Sequence, residues 1–138
     1  SFPTRRSSDL FVAGFTGSPA MNLVPCQVQG NQVDLGDARF DAPTSLTGKI
    51  NGADKLTFGI RPENISLAPM QGSVQVPASV VLTEPLGAET LVIFKVGNCE
   101  MVARCPASFR EAPGTALPVY LAQQHMHLFD ATSGNALR

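Results

Sequence analysis

LTFGIRPENISL, residues 56 to 67, is two short alternating runs joined by an Arg-Pro-Glu corner. Leu56, Phe58 and Ile60 alternate with Thr57 and Gly59, the period of two of a half-buried strand. Pro62 has a fixed φ and no N–H, and it pushes Arg61 toward extended geometry, so the ladder is expected to break there. Ile65 and Leu67 then resume the alternation. Arg61 and Glu63 stand one residue apart at the corner. The simplest reading is a solvated or locally paired turn, because exposed ion pairs contribute little. The alternative is a charged tie to a neighbouring strand or to another protein.

Working outward, the longest hairpin registers itself. With Gly97-Asn98 as its turn, Val96 opposes Cys99, Phe94 opposes Met101 and Val92 opposes Ala103, all on one apolar face. Lys95 faces Glu100 on the other, an opposite-charge pair worth about 0.2 to 1 kcal/mol. Burial of Phe94 and Met101 contributes about 1.5 to 3 kcal/mol each, so the apolar face sets the register. Cys99 and Cys105 then point inward, which argues against reactive roles. Gly36-Asp37 marks a second hairpin with Leu35 facing Ala38 and Val33 facing Phe40.

Residues 42 to 55 are rich in turn formers and read as loop, and residues 66 to 73, with Pro69 and Gly72, as a second break. Residues 84 to 89 form a turn-like link between strands at 76–83 and 90–96. Pro106, Pro113, Gly114 and Pro118 punctuate a loop before strands at 119–122 and 126–129. Eight to ten short strands with almost no helix predict an all-β domain, a small closed or partly open barrel.

With 138 residues, 43% apolar and 15% charged, the chain is one ordinary domain able to bury a core. A formal charge of −1 provides no basic field for nucleic acid, and no apolar run is long enough to span a membrane as a helix. Any membrane association is expected through a partner. Cys26, Cys99 and Cys105 are odd in number and lack C-x-x-C spacing, which predicts reduced, packed thiols and neither a disulfide framework nor a zinc site.

Residues 1 to 10, SFPTRRSSDL, resemble a translated sequencing-adapter primer and are set aside from fold reasoning. Two of the ten basic and one of the eleven acidic residues fall there, leaving a formal charge of −2. Residues 11 to 23 are expected to form a short helical connector, with Phe11, Val12 and Phe15 on one side and Ser18-Pro19 opening a turn through Ala20, Met21 and Asn22. Phe11 and Phe15 suit docking onto another domain or packing on the barrel. Residues 24 to 138 make up the β domain.

Motifs for chemistry are sparse. There is no G-x-x-x-x-G-K-[ST] loop, no dinucleotide fingerprint and no G-x-S-x-G elbow. His125 and His127 would share one face of a strand as two metal ligands, but no third ligand stands near; Phe129 has the same parity, which favours packing or partner contact. Glu84 and Glu89 are imaginable as paired acids, with nothing to position a substrate. No catalytic residue, metal ligand or cofactor site is predicted.

Four segments, FVAGFTGSPAMN (11–22), FGIRPENI (58–65), TEPLGAET (83–90) and HLFDATSG (127–134), taken together resemble the C-terminal regulatory region of bacterial ABC importer ATPases of the type serving maltose, glycerol-3-phosphate and related sugar uptake. The resemblance covers nearly all of residues 11 to 138. It implies an oligonucleotide-binding-like (OB-like) barrel with additional strands, of the TOBE type, and a chain that has lost a preceding ATPase domain. ATP and magnesium would belong to that domain, and these residues would be non-catalytic.

The resemblance also implies a homodimer through the regulatory domains, membrane permease subunits reached through the ATPase domain, and a regulatory protein or small-molecule inhibitor. Its place would be the cytoplasm, peripheral on the inner face of the cell membrane. Arg61, Pro62 and Glu63 match the family's corner, Glu84, Leu86 and Gly87 its central turn, and His127, Phe129, Asp130 and Gly134 its closing segment, as interface or structural residues. The competing reading is a barrel that binds a small oxyanion, with Arg61 and Arg104 as the candidate ligands. Nucleic acid is disfavoured by the charge and by the lack of exposed aromatics.

Overall fold

The computed structural model describes residues 20–46 and 55–136. The adapter-like segment, residues 11–19 of the expected connector and most of the expected loop at 42–55 lie outside them. Ten strands and three single 3₁₀ turns make up the described chain: β1 Asn22–Gln29, β2 Gln32–Asp34, β3 Arg39–Asp41, η1 Thr44–Leu46, β4 Leu56–Ile60, η2 Pro62–Asn64, β5 Ile65–Ser66, β6 Ser73–Pro85, β7 Glu89–Val96, β8 Cys99–Pro106, β9 Ala116–Ala122, η3 Gln123–His125 and β10 His127–Asp130. The all-β expectation holds. The first strand starts at Asn22, so the last two residues of the expected connector already belong to the ladder.

Two five-stranded sheets result, ordered β10-β4-β1-β2-β3 and β5-β9-β6-β7-β8. In the second sheet β8 packs against β5 and η2, so that sheet curls toward closure. β4 lies in one sheet and β5 in the other, so the Arg-Pro-Glu corner carries the chain between them. The chain returns through η3 between β9 and β10. These two passages form one bent antiparallel ribbon: Ile65 opposes Leu121 and Ser66 opposes Tyr120 on one side of the bend, and Gly59 opposes His127 and Phe58 opposes Leu128 on the other. Both pairings keep the same register, which sets Pro62–Asn64 opposite 122–124. Inward residues are even-numbered at Phe58 and Ile60 and odd-numbered at Ile65; they are odd at Leu121 and even at Met126 and Leu128. Each strand therefore shifts phase at the same level of the ladder, and both keep their apolar face on the core.

The core runs through both sheets. Phe58, Ile60, Phe94, Met101, Leu121 and Leu128 are among its largest fully buried side chains, and Phe40 meets Phe58 edge-on at 5.1 Å. The β7–β8 hairpin has the predicted register, Val96 with Cys99, Phe94 with Met101 and Val92 with Ala103. Lys95 opposes Glu100 as predicted, but both are exposed and the described ion pairs do not include them; the apolar face alone carries the register. The β2–β3 hairpin likewise pairs Val33 with Phe40, and Leu35 N–H donates to the Ala38 carbonyl at 2.8 Å.

Three details depart from the sequence reading. Pro118 lies inside β9, opposite Pro77 of β6. Val80 N–H donates to the Thr115 carbonyl, so along this ladder the nitrogens of Pro77 and Pro118 point away from each other's strand. β7 and β5 pair with these strands only at Ser79–Pro85 and at Tyr120–Leu121, so neither proline removes a ladder bond. His125 sits in η3 and not in β10, so it shares no strand face with His127. β6 runs on to Pro85 and carries a bulge between Val80 and Leu82; inward parity is even before it, at Val76 and Val80, and odd after it, where Thr83 opposes Val92.

The sheets are joined along one seam. The side-chain amide of Asn22 donates to the Val102 carbonyl at 2.9 Å, and its oxygen accepts from Val102 N–H at 2.8 Å, so one side chain fills an open slot on the edge of β8. Further along, Asn98 N–H donates to the Leu35 carbonyl at 2.8 Å, which locks the two hairpin turns together. Gly97 has φ +61, and a Cβ there would strike the Leu35 carbonyl oxygen.

Two predictions arise here. Gly97→Ala should destabilise the chain clearly more than Gly30→Ala, since Gly30 has nearly the same φ of +62 but open space around it. The left-handed backbone costs about 1 to 2 kcal/mol in both, and urea unfolding of the two variants would isolate the added cost of moving Leu35. Equal losses would remove the interlock. Thr90 is buried, and its hydroxyl has no hydrogen-bond partner among the described residues, so Thr90→Val should be neutral or stabilising by up to about 1 kcal/mol. A melting temperature lowered by several degrees would contradict this.

Candidate functional site

The corner is built by its own residues. Arg61 is extended at φ −78°, ψ 149°, and Pro62 follows at the start of the 3₁₀ turn, where no N–H is needed. Asn64 N–H donates to the Arg61 carbonyl at 2.9 Å, and Ile65 N–H closes on the Pro62 carbonyl. Pro62 is buried, which makes it the anchor of the turn, whereas Arg61 and Glu63 are exposed. Among the described residues Arg61 has no ion-pair partner.

Glu63 contributes to a charge cluster invisible in the sequence. η2 packs on β8, where Arg104 Nε donates to Glu89 Oε1 at 2.8 Å. That hydrogen bond, followed by the charges of Glu89 and Glu63, holds the Arg104 guanidinium above its ordinary value. Arg104 thus ties β8 to the start of β7, and the charge of Glu63 at the corner adds a smaller effect. Glu89 and Arg104 meet because the β7–β8 register sets Leu91 opposite Arg104 and leaves Glu89 diagonal to it, whereas the corner comes near only when the second sheet curls. The engagement also weakens the oxyanion reading, as Arg104 already serves a carboxylate.

The central turn lies at the tip of the β6–β7 hairpin. Leu86 N–H donates to the Glu89 carbonyl at 2.8 Å, Gly87 takes φ +91, and Leu86 itself is half exposed. Glu84 is exposed opposite Leu91, and Glu89 is committed to Arg104, so the two glutamates do not act as paired acids.

The closing segment lies on the outer face of the first sheet. Phe129 stacks with His127, ring centroids 6.1 Å apart. Phe129, Met21 and Leu23 together cover Gly59, whose missing side chain leaves room for them; a Cβ there would fall 2.8 Å from both Met21 Sδ and Phe129 Cε2. Asp130 accepts from Thr132 N–H at 2.8 Å and Ser133 N–H at 3.0 Å, and Gly134, at φ +80, donates to the Asp130 carbonyl at 2.7 Å. Asp130 and Gly134 therefore shape the final turn. The predicted residues thus fall into a corner-and-hairpin group and an outer-face group, joined through β4. No cluster of three or more metal-ligating side chains occurs among the described residues.

Two further ties had no sequence signal. Gln123 of η3 donates through Nε2 to the Asp41 and Ala42 carbonyls at 3.1 and 3.3 Å, and its N–H donates to Gly72 at 2.9 Å, fixing the return passage to both sheets. An open groove at the seam is lined by Pro25, Cys26, Leu35, Lys55, Asn98 and Cys99. Burial pushes the Cys26 thiol up to about 11, with a smaller push from Cys99; burial raises Cys99 too, and Cys105 to about 11.

A family model described as the MalK OB fold domain matches residues 17–65, and one described as the TOBE domain matches residues 58–129. They overlap on β4, the corner and the start of β5. The chain is similar to the sulfoquinovosyl glycerol transport ATP-binding protein SmoE of Agrobacterium fabrum, at 36% identity over 96% of this chain and 37% of that protein. It is also similar to the sn-glycerol-3-phosphate import ATP-binding proteins UgpC of a Ruegeria species, at 37% identity over 94% of this chain and 35% of that protein, and of Escherichia coli, at 36% over 94% and 36%. The chain thus spans roughly a third of the length of these curated relatives. No helix among the described residues is long and apolar enough to cross a membrane.

The final turn yields a pH prediction. The amides of Ser133 and Thr132 favour the ionised Asp130, so its folded value lies below its unfolded one. Its contribution is therefore full above the ordinary carboxylate range and is lost as pH falls through the lowered value. Amide resonances of Thr132 and Ser133 should titrate with a midpoint below that of an ordinary aspartate, and a midpoint at or above it would contradict the geometry.

Proposed function

The chain belongs to the TOBE domain family, and we propose that it serves as the regulatory and dimerisation region of an ATP-binding subunit in an importer for sugars or glycerol-3-phosphate-like solutes. The observation that carries this reading is the adjoining pair of domain matches, 17–65 and 58–129, together with transport ATP-binding relatives that align over 94 to 96% of the chain. Nucleotide chemistry belongs to the part of such a subunit outside these residues, which carry no phosphate-binding loop. ATP and magnesium are bound there. Permease subunits are engaged there as well and hold the assembly against the inner face of the membrane.

What these residues supply is a braced two-sheet body with contact surface. Leu82, Leu86 and Leu23 are 54%, 51% and 47% exposed, which suits association with a second copy or a regulatory protein. Arg61 and Glu63 stand outward at the bend, Glu63 toward Arg104 and Arg61 toward solvent or a partner. The engaged Arg104 leaves the oxyanion alternative with less support.

The test is a chimaera in which this chain replaces the matched region of the Escherichia coli glycerol-3-phosphate relative, assayed for uptake of labelled sn-glycerol-3-phosphate. Uptake should be restored, and the 138-residue chain alone should neither hydrolyse ATP nor bind it in calorimetry. A chimaera that folds and reaches the membrane but supports no uptake would overturn the proposal, as would ATP turnover by the chain alone.

A further inference from the structure

We propose that Cys26 and Cys99 are an oxidisable thiol pair that peroxide converts into a disulfide bridging the two sheets. Cys26 lies on β1 of the first sheet and Cys99 opens β8 of the second, and both line the seam groove. The Cys99 thiol approaches the carbonyl oxygen of Pro25, the residue joined to Cys26 by one peptide bond, at 3.9 Å. The strands on either side are held in place, by Asn22 on Val102 and by Asn98 on Leu35. Cys99 is only half-buried, so it is the thiol that an oxidant reaches, while Cys26 is buried. Cys105 faces Thr90 inside the second sheet and does not line the groove.

The chemistry balances with hydrogen peroxide as the two-electron acceptor. Cys99 Sγ attacks one peroxide oxygen, the O–O bond breaks, and the departing oxygen takes the thiol proton to leave as water, giving a sulfenic acid. Cys26 Sγ then attacks Cys99 Sγ; the S–S bond forms, the S–O bond breaks, and a second water leaves with the Cys26 proton. Burial keeps both thiols protonated at neutral pH, so the bridge accumulates under sustained peroxide rather than on a brief pulse. Because it would close a loop that runs from the second half of β1 through β7 to the first residue of β8, the bridge restrains the unfolded chain strongly and fixes one sheet to the other.

The test uses the 138-residue chain, treated with hydrogen peroxide, alkylated, digested without reduction and mapped by mass spectrometry. The expected result is a Cys26–Cys99 linked peptide as the main disulfide, with Cys105 still alkylated, and a melting temperature that rises on oxidation and falls back with reductant. Cys105→Ser should form the same link. Disulfides that involve Cys105, links only between chains, or Cys99 oxidised to sulfinic acid with Cys26 still free would each overturn the proposal. The mapping of the unaltered chain decides the matter even if Cys105→Ser fails to fold.

Discussion

The structure depends on one bent ribbon. β4 and β5 on one side and β9 and β10 on the other cross between the sheets together, and each turns through a single 3₁₀ turn at the same level of the ladder. A strand that changes sheets alone would have to give up its pairing at the bend and leave backbone groups unpartnered. Here two strands bend as a pair, so the register on one side of the bend dictates the register on the other. Pro62 is suited to this place because it presets the turn and has no N–H to strand. Gln123 does the matching work on the return strand by hydrogen bonding to the ends of β3 and to Gly72.

A second restraint, the seam, runs from Asn22, which pairs with Ile60 beside the corner, to the two hairpin turns. The edge of β8 would be open to pairing with another chain, and Asn22 occupies it with a side-chain amide that donates and accepts as a peptide does. The hairpin turns at Gly36 and Gly97 then approach closely enough for Asn98 to reach the Leu35 carbonyl. With ribbon and seam in place, neither sheet can slide on the other without breaking hydrogen bonds. The outward residues of the corner, Arg61 and Glu63, are thus held on a stiff support.

Much of this was legible because it was local. The β7–β8 and β2–β3 registers follow from period-two apolar patterns bounded by Gly-Asn and Gly-Asp, and both appear as read. The break at Pro62 follows from proline chemistry alone. What the sequence could not reveal depended on distant partners. β4 pairs with β1 and β10, and β6 with β9, across separations that carry no local signal. Pro118 read as a loop residue because proline usually ends a strand; whether it costs a hydrogen bond depends on which way its nitrogen points, and only the ladder determines that. His125 reads as sharing a strand face with His127 because the return bend at η3 has no proline to announce it. Of the candidate site, the corner and the closing turn were visible as motifs and the Glu89–Arg104 contact followed from the hairpin register, while Asn22 and Gln123 reach partners some eighty residues away.

The bulge in β6 carries a consequence for how this domain tolerates change in length. Val81 is the extra residue that moves the strand from one parity to the other, and it lets Thr83 face the core while Leu82 and Glu84 face out. Removing Val81 would leave an unbroken alternation in the same pairing, Leu82 against Ile93 and Thr83 against Val92, with Glu84 still facing out. The bulge is thus a level at which this strand can lose a residue without turning its neighbours over: a one-codon deletion at Val81 keeps every residue between the bulge and the hairpin tip on its present face and removes only the local bend.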